Sequence, residues 1–265
     1  MDVFKDYAYY CDLFYKDRDY AGEAKKIDYL INQYQQSSHV HILNLGCGTG
    51  KHDYELSKLG YQLTGIDLSA DMIRIARENL LNEKASIEFE AADVRSYNTP
   101  KKYDAVISLF HVMSYQNDNS DVLKTLNTAR NALKDKGLFV FDAWYGSGVL
   151  TDKPCVRVKH AEDDNSIAIR YANPIMHANT NIVDVNYSVV IINKENGVAR
   201  KINETHKMRY FFVPEIKYML ENCGFELLDC LDCESLREAG FSSWITYFIA
   251  RKKRRNRIIH NILYL

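Results

Sequence analysis

The sequence has no charge imbalance, no long apolar run and no internal repeat, and each absence closes a class of function. Lysine plus arginine number 34 against 35 aspartate plus glutamate, so the whole chain lacks the basic footprint that holds nucleic-acid phosphates. No segment approaches about 18 uninterrupted apolar residues, the length that reads as a membrane span. The opening MDVFKDYAYYCDLFYKD is charged and aromatic and has no apolar core of the kind a signal peptide needs. Cysteine is sparse and scattered: Cys11, Cys47, Cys155, Cys223, Cys230 and Cys233 sit in a chain too long to need staples, which implies free thiols in a reducing compartment. Cys230-Leu-Asp-Cys233 has metal-ligand spacing, but no second pair or histidine follows at a zinc-site interval, so no metal is expected. One local exception to the even charge is the tail RKKRRNRIIHNILYL, read as a solvated extension past the last strand. Together these features predict a cytoplasmic globular protein with a small-molecule partner, neither nucleic acid nor membrane, with homodimerisation left open.

What is present is an α/β pattern. With 46% of 265 residues hydrophobic, the chain can bury one large core or a core with a subdomain. YAGEAKKIDYLINQYQQ carries Ala24, Ile27, Leu30, Ile31 and Tyr34 at helical spacing, and HVHILNLG reads as the first strand. A glycine turn leads to the helix HDYELSKLG, which Gly60 stops, and YQLTGIDLS is a second strand ending in an acid. SADMIRIARENLL opens on Ser69 as N-cap and places Met72, Ile73, Ala76 and Leu80 on one face. SIEFEAADV and YDAVISLFHVM read as the third and fourth strands, NSDVLKTLNTARNALKDKG as a helix with a glycine stop, and LFVFDAWY as the fifth strand. Strands alternating with helices, apolar enough to be covered on both faces, predict a parallel sheet.

After residue 150 the helical period disappears. Residues 156–212 alternate β-branched and aromatic runs with Asp-Asp-Asn-Ser, Asn-Thr-Asn and Glu-Asn-Gly turn clusters, which predicts three or four antiparallel strands. VPEIKYMLENCGF then reads as a short helix ending at Gly224, with ELLDCLD and SSWITYFIARK as two final strands. An antiparallel insert in a parallel scaffold usually adds a specificity surface.

The turn ILNLGCGTGKH sets the chemistry. A dinucleotide fingerprint would place its third glycine where this chain has Lys51, and the Gly-Lys-Ser/Thr of a P-loop is absent. The glycines fall instead at Gly46, Gly48 and Gly50. About 20 residues on, Asp67 ends the second strand, where a carboxylate can accept from both hydroxyls of a ribose. The third strand ends in Ala91-Ala92-Asp93-Val94, which suits an adenine: the carboxylate accepts from the exocyclic amine, with Leu68 and Val94 on the ring faces.

With ILNLGCGTG, TGIDLSADMIRIAR, EAADVRSY, YDAVISLFHVMSY and ALKDKGLFVFDAW in this order, residues 40 to 145 resemble the S-adenosylmethionine-dependent methyltransferases of the doubly wound class. The resemblance implies a Rossmann-like fold with seven strands, mostly parallel, the last one antiparallel and formed by SSWITYFIA. It also implies a cofactor, S-adenosylmethionine, held by Gly46, Cys47, Gly48, Gly50, Asp67, Leu68, Met72, Asp93, Val94 and Leu109. Upstream, YYCDLFYKDRDYAGEAKKI is similar to the N-terminal lid of sugar-amine N,N-dimethyltransferases through Asp19-Tyr20-Ala21-Gly22-Glu23-Ala24, although Tyr15-Lys16-Asp17-Arg18 replaces the spacer of that group. The organisation that follows is a helical lid (1–36), a cofactor-binding core (37–150), an antiparallel β substrate subdomain (151–213), the C-terminal part of the core sheet (214–253) and the basic tail (254–265).

Methyl transfer is an in-line displacement that needs no metal, and the protein mostly has to position the acceptor lone pair. A neutral amine needs little help from a base, whereas an alcohol needs one within hydrogen-bond reach. His111, Tyr20 and Tyr10 are the catalytic candidates, and Tyr15, Tyr115, Trp144 and Tyr145 the substrate-binding ones, at the strand ends and on the lid. Their rings could also hold a cationic sulfonium or ammonium. Arg170, Asn173 and His177 are further candidates for reaching a phosphate or sugar. The acceptor favoured by the resemblance is the amino group of a small or nucleotide-linked amino sugar. Small-molecule O-methylation with His111 as base, or a non-catalytic S-adenosylmethionine-binding partner protein, are the alternatives. A nucleic-acid amino methyltransferase is disfavoured because Leu109-Phe110-His111-Val112 stands where that group has Asp/Asn-Pro-Pro-aromatic.

Overall fold

Apolar runs in successive strands require cover on both faces, and the chain supplies it. A computed structural model describes residues 8–35, 40–81, 85 and 87–254; the expected tail, apart from its first residue, and the start of the expected lid lie outside these. The chain runs α1 (Ala8–Phe14), α2 (Tyr20–Tyr34), β1 (His41–Leu45), α3 (Lys51–Lys58), β2 (Gln62–Asp67), α4 (Ala70–Leu80), β3 (Ile87–Ala91) and β4 (Tyr103–Ser108). It continues through α5 (Asn119–Ala132), β5 (Leu133–Tyr145), α6 (Gly146–Thr151), β6 (Arg157–Glu162), β7 (Ser166–His177), β8 (Ile182–Asn193) and β9 (Ala199–Phe211). α7 (Val213–Asn222), β10 (Phe225–Asp232) and β11 (Ile245–Lys252) complete it. None of these helices is long and apolar enough to cross a membrane.

The core sheet has the order β3-β2-β1-β4-β5, all parallel. β11 joins β5 antiparallel, and β10 joins β11 at the far edge, so the core holds seven strands with one reversed. Alternate residues of each central strand serve opposite layers. Leu43, Leu45, Val106, Phe139 and Phe141 pack with Leu126 of α5 and Ile216 of α7 on one side. Ile42, Ala105, Ile107 and Val140 pack with Ile27, Leu30 and Ile31 of α2 and Leu56 of α3 on the other. Truncating one of these fully buried leucines to alanine costs about 2–5 kcal/mol.

The insert is a four-stranded antiparallel sheet, β6-β7-β8-β9. The end of β9 lies parallel to the end of β5 through Trp144↔Tyr210 and Tyr145↔Phe211, which fuses insert and core into one surface. This junction holds the inner face of the insert over the carboxyl ends of the core strands.

Two boundaries differ most from the sequence expectation. β4 ends at Ser108 rather than running through Met113, because Phe110 and His111 both have φ near +65° and cannot continue a strand. Asp142, buried in β5, fixes this kink: its two oxygens accept the backbone N–H of Phe110 at 3.0 Å and of His111 at 2.6 Å. Residues Val112–Tyr115 then form one tight 3-10 turn. α5 stops at Ala132, five residues before Gly137, because Leu133 is already extended and pairs with Tyr103 in the sheet. Ser69 caps α4 as expected, its hydroxyl accepting from Met72 N–H at 3.3 Å.

Candidate active site

A cavity of about 500 Å³ opens where β1, β2, β3 and β4 end, which is the ligand side of a doubly wound sheet. It is sized for a small-molecule ligand pair. Its floor is the glycine turn. Gly46 and Cys47 both donate backbone N–H to Ile66 O, at 2.8 and 2.9 Å, and tie the turn to β2. Gly46 has φ +82°, and a Cβ there would lie 2.5 Å from a methyl of Val112, so this glycine admits the turn after β4. Gly50 does different work: it caps α3 with φ +75°, and a Cβ would strike the Phe89 ring at 2.5 Å. Gly50 is thus a packing glycine off the cavity wall, while Gly46, Cys47 and Gly48 line it.

Asp67 lies against the same floor. Its Oδ2 accepts from Gly48 N–H and its Oδ1 from Ser69 N–H, both at 2.9 Å. Burial pushes its pKa up, and these two bonds pull it back in part. A carboxylate offers about four acceptor sites, so two remain for hydroxyl donors, which fits a ribose. Leu68 is 58% exposed at the rim, with Met72, Val94 and Leu109 buried behind, and these give apolar walls to that end. Asp93 also lines the cavity, but its carboxylate is gripped by Arg95, with Nε to Oδ1 at 2.9 Å and a terminal nitrogen to Oδ2 at 2.6 Å. Arg95 turns its other nitrogen to Asp121 at 2.8 Å. The Arg95 hydrogen bonds hold the Asp93 carboxyl below the usual carboxylate range, so it stays an ionised, oriented acceptor. These residues fit S-adenosylmethionine at the floor and the β2–β3 end.

The other end is aromatic and is built by three separate segments. Tyr15 and Tyr20 come from the lid, with Tyr15 edge-on to Phe110 at 5.0 Å and Tyr20 edge-on to His52 at 4.9 Å. The lid is held to the floor: Thr49 hydroxyl donates to Asp12 at 2.9 Å, and Lys51 pairs with the same carboxylate at 3.1 Å. Behind Tyr20, Glu23 takes His52 Nε2 at 2.6 Å and Arg18 at 2.8 Å. Burial pushes the Glu23 carboxyl up, but the His52 hydrogen bond and the Arg18 charge more than offset it and leave it lowered. Arg18 also lies 4.2 Å over the Phe110 ring. From the core come Phe110 and Tyr115, and from the insert come Tyr187 and His206. Tyr115 hydroxyl is 2.7 Å from His206 Nδ1, and His206 Nε2 is 3.1 Å from Glu204 Oε2.

Tyr15, Tyr20 and Tyr115 therefore reach the cavity, whereas Tyr10, His111, Trp144 and Tyr145 are absent from its wall. Tyr10 packs between lid and insert with Phe14, Ala168 and Ile191. Trp144 packs at a tilt against Trp244, with ring centroids 4.8 Å apart, and Tyr145 packs on the core layer with Phe211. The Asp142 kink sends Phe110 to the cavity and leaves His111 beside Asp142, with Nδ1 3.7 Å from the carboxylate. Burial holds the His111 imidazole below its usual range, against the pull of Asp142. Of the phosphate candidates, Arg170 donates to Tyr15 hydroxyl at 3.3 Å, while His177 pairs with Asp184 in an exposed part of the insert. His206, Tyr187, Phe110 and Asp12 carry no motif in the sequence; the one available signal was the alternation of Ile202, Glu204, His206 and Met208 along one face of a strand.

Comparison with known proteins agrees with this geometry. A family model described as a methyltransferase domain matches residues 42–137. The putative methyltransferase YqeM of Bacillus subtilis (strain 168) is 28% identical over 187 residues, covering 70% of this chain and 73% of that protein. The dTDP-3-amino-3,4,6-trideoxy-alpha-D-glucopyranose N,N-dimethyltransferase of Streptomyces venezuelae is 25% identical, covering 84% of this chain and 91% of that protein. Among solved structures, an S-adenosylmethionine-dependent methyltransferase from Clostridium acetobutylicum ATCC 824 superposes with a TM-score of 0.79 at 20% identity, over 93% of this chain and 97% of that one. The glycine turn and the carboxylate at the end of β2 lie within the matched methyltransferase domain, and the chain is similar to methyltransferases in sequence and to an S-adenosylmethionine-dependent methyltransferase in fold.

Proposed function

We propose that the acceptor is the amino group of a small amino sugar linked to a nucleotide. The observation that carries this reading is the aromatic end of the cavity, continuous with the cofactor end, where Tyr15, Tyr20, Tyr115 and Phe110 present phenols and ring faces to one space. Phenols orient an amine, and ring faces stabilise an ammonium by about 0.5–2 kcal/mol each. S-adenosylmethionine supplies, when bound, an electrophilic methyl on a sulfonium. The chain's own part is to hold the cofactor's ribose at Asp67, to align the amine from the lid, and to keep water out with Phe110 and the insert.

The nucleotide link is supported by cations around Tyr15. Lys159 lies 4.9 Å over the Tyr15 ring and Arg170 5.6 Å from it, with Arg18 on the neighbouring Phe110. Burial, then the charges of Arg170 and Arg18, hold the Lys159 ammonium below the usual lysine range, and a phosphate here would relieve that repulsion. The name of the Streptomyces venezuelae relative, a dTDP-amino-sugar dimethyltransferase, supports the same class. A cytoplasmic setting belongs to the same proposal, supported by the free state of the five described cysteines.

The test is calorimetry on protein saturated with S-adenosylhomocysteine, titrated with a dTDP-amino sugar and with its hydroxyl counterpart. Binding of the amino compound about tenfold or more tighter, a difference of about 1.4 kcal/mol, is expected. Equal binding of both would count against an amine site.

A further inference from the structure

Tyr115 and His206 meet although they belong to different layers. Tyr115 ends the 3-10 turn after β4, and His206 stands on the inner face of β9, 2% exposed. Both line the cavity, and Glu204, two residues back on the same strand face, stands behind the imidazole. The hydrogen-bond direction follows from the chemistry. With Glu204 accepting from Nε2–H, Nδ1 presents its lone pair. Tyr115 then donates its O–H to Nδ1, and its side chain lines the cavity. Tyr187 of β8 closes the imidazole edge-on at 4.8 Å, and Arg170 of β7 lies 4.8 Å over the Tyr187 ring.

We propose that Tyr115, His206 and Glu204 form a path that takes the proton from the acceptor before methyl transfer. An amino sugar arrives at neutral pH as an ammonium, which has no lone pair to attack with. One N–H bond of the ammonium breaks as an O–H bond forms on Tyr115. The phenol's original proton passes to His206 Nδ1 in the same movement. The positive charge moves from the acceptor to an imidazolium, whose Nε2–H is already held by the Glu204 carboxylate. The acceptor is left neutral with its lone pair, and the imidazolium returns its proton to solvent after the product leaves. Tyr115 is the catalytic residue here, since it touches the acceptor, and His206 and Glu204 act through it. The inference rests on the amine reading above for the identity of the acceptor.

The test is kcat against pH at saturating acceptor and cofactor, for the wild type, Tyr115→Phe, His206→Gln and Glu204→Gln. S-adenosylmethionine binding serves as the check that each variant is folded. His206→Gln and Tyr115→Phe should lose about 10²-fold in kcat near pH 7, the scale of a lost proton-transfer group. The loss should narrow as pH rises to where the amine deprotonates without help. Glu204→Gln should fall between them and the wild type. A defect of equal size at every pH, or no defect in His206→Gln and Tyr115→Phe, would overturn the path. A methyl group found on oxygen would instead remove the amine reading, and the path would then be judged by whether His206→Gln slows that transfer with cofactor binding retained.

Discussion

The hydroxyl of Tyr115 lies 2.7 Å from Nδ1 of His206, across 91 positions of sequence. That hydrogen bond joins the core loop after β4 to the insert across one cavity. Core and insert therefore share one site.

Asp67 should control cofactor affinity. Asp67→Ala removes an acceptor for the ribose hydroxyls and leaves Gly48 N–H without its 2.9 Å partner. Hydrogen bonds to a charged group contribute about 1.5–3 kcal/mol each, so calorimetry should show S-adenosylmethionine binding weakened at least tenfold. Unchanged affinity would place the ribose elsewhere.

Asp142 should matter more for the turn than for a proton. Asp142→Ala strips the acceptor from two backbone N–H groups and releases two non-glycine residues held at positive φ. A loss of about 2–4 kcal/mol is expected in urea unfolding. Methyl transfer should fall as well, because Phe110 leaves the wall. His111→Ala, by contrast, should keep most of its turnover, since His111 is off the cavity wall.

Asp53 predicts an unusual pH dependence of stability. It is fully buried beside Asn44, and burial pushes its pKa up to about 7, with the 2.8 Å hydrogen bond from Asn44 pulling the other way. The folded chain thus keeps a proton that the unfolded chain, with an ordinary aspartate pKa of about 4, has released. Stability carried by that proton is complete below about pH 4 and is lost as pH rises to 7. Asp53→Asn cannot titrate, so at pH 8 its urea midpoint should exceed the wild type's by the equivalent of about 1–3 kcal/mol, with the gap closing towards pH 5. A gap that does not change with pH would mean that Asp53 is ionised throughout.

Thiol labelling should separate Cys47 from Cys155. Burial raises the Cys47 thiol well above its ordinary range, followed by the charges of Asp53 and Asp67, whereas Cys155 is exposed. Peptide mass spectrometry after brief alkylation at pH 8 should find Cys155 modified and Cys47 intact. Rapid labelling of Cys47 would mean that the floor of the cavity opens.

Much of the core was legible because its signals are local. Runs such as Ile42, Leu43 and Leu45 are apolar for a two-sided strand, and Ser69 sits where a cap must. Asp67 was legible as well, since a strand-end acid follows the glycine turn at a fixed distance. The aromatic end of the cavity was not, because its geometry depends on contacts distant in sequence. His111 looked well placed as a base because it follows β4 directly, but Asp142, 31 residues away, bends the chain so that Phe110 takes the wall. His206 looked like one polar residue in an alternating strand, and only the β5–β9 junction brings it over the cavity. Gly50 shows the same limit at short range: its spacing matched a ligand turn, yet the Phe89 ring is what requires it.

The most direct measurement is the position of the transferred methyl group. The protein would be incubated with carbon-13 methyl-labelled S-adenosylmethionine and a dTDP-amino sugar, and the product examined by NMR. The account predicts the label on the amino nitrogen, in a product whose formation falls sharply in His206→Gln near neutral pH. A label on a sugar hydroxyl, or no transfer to any amine while the cofactor still binds, would contradict it.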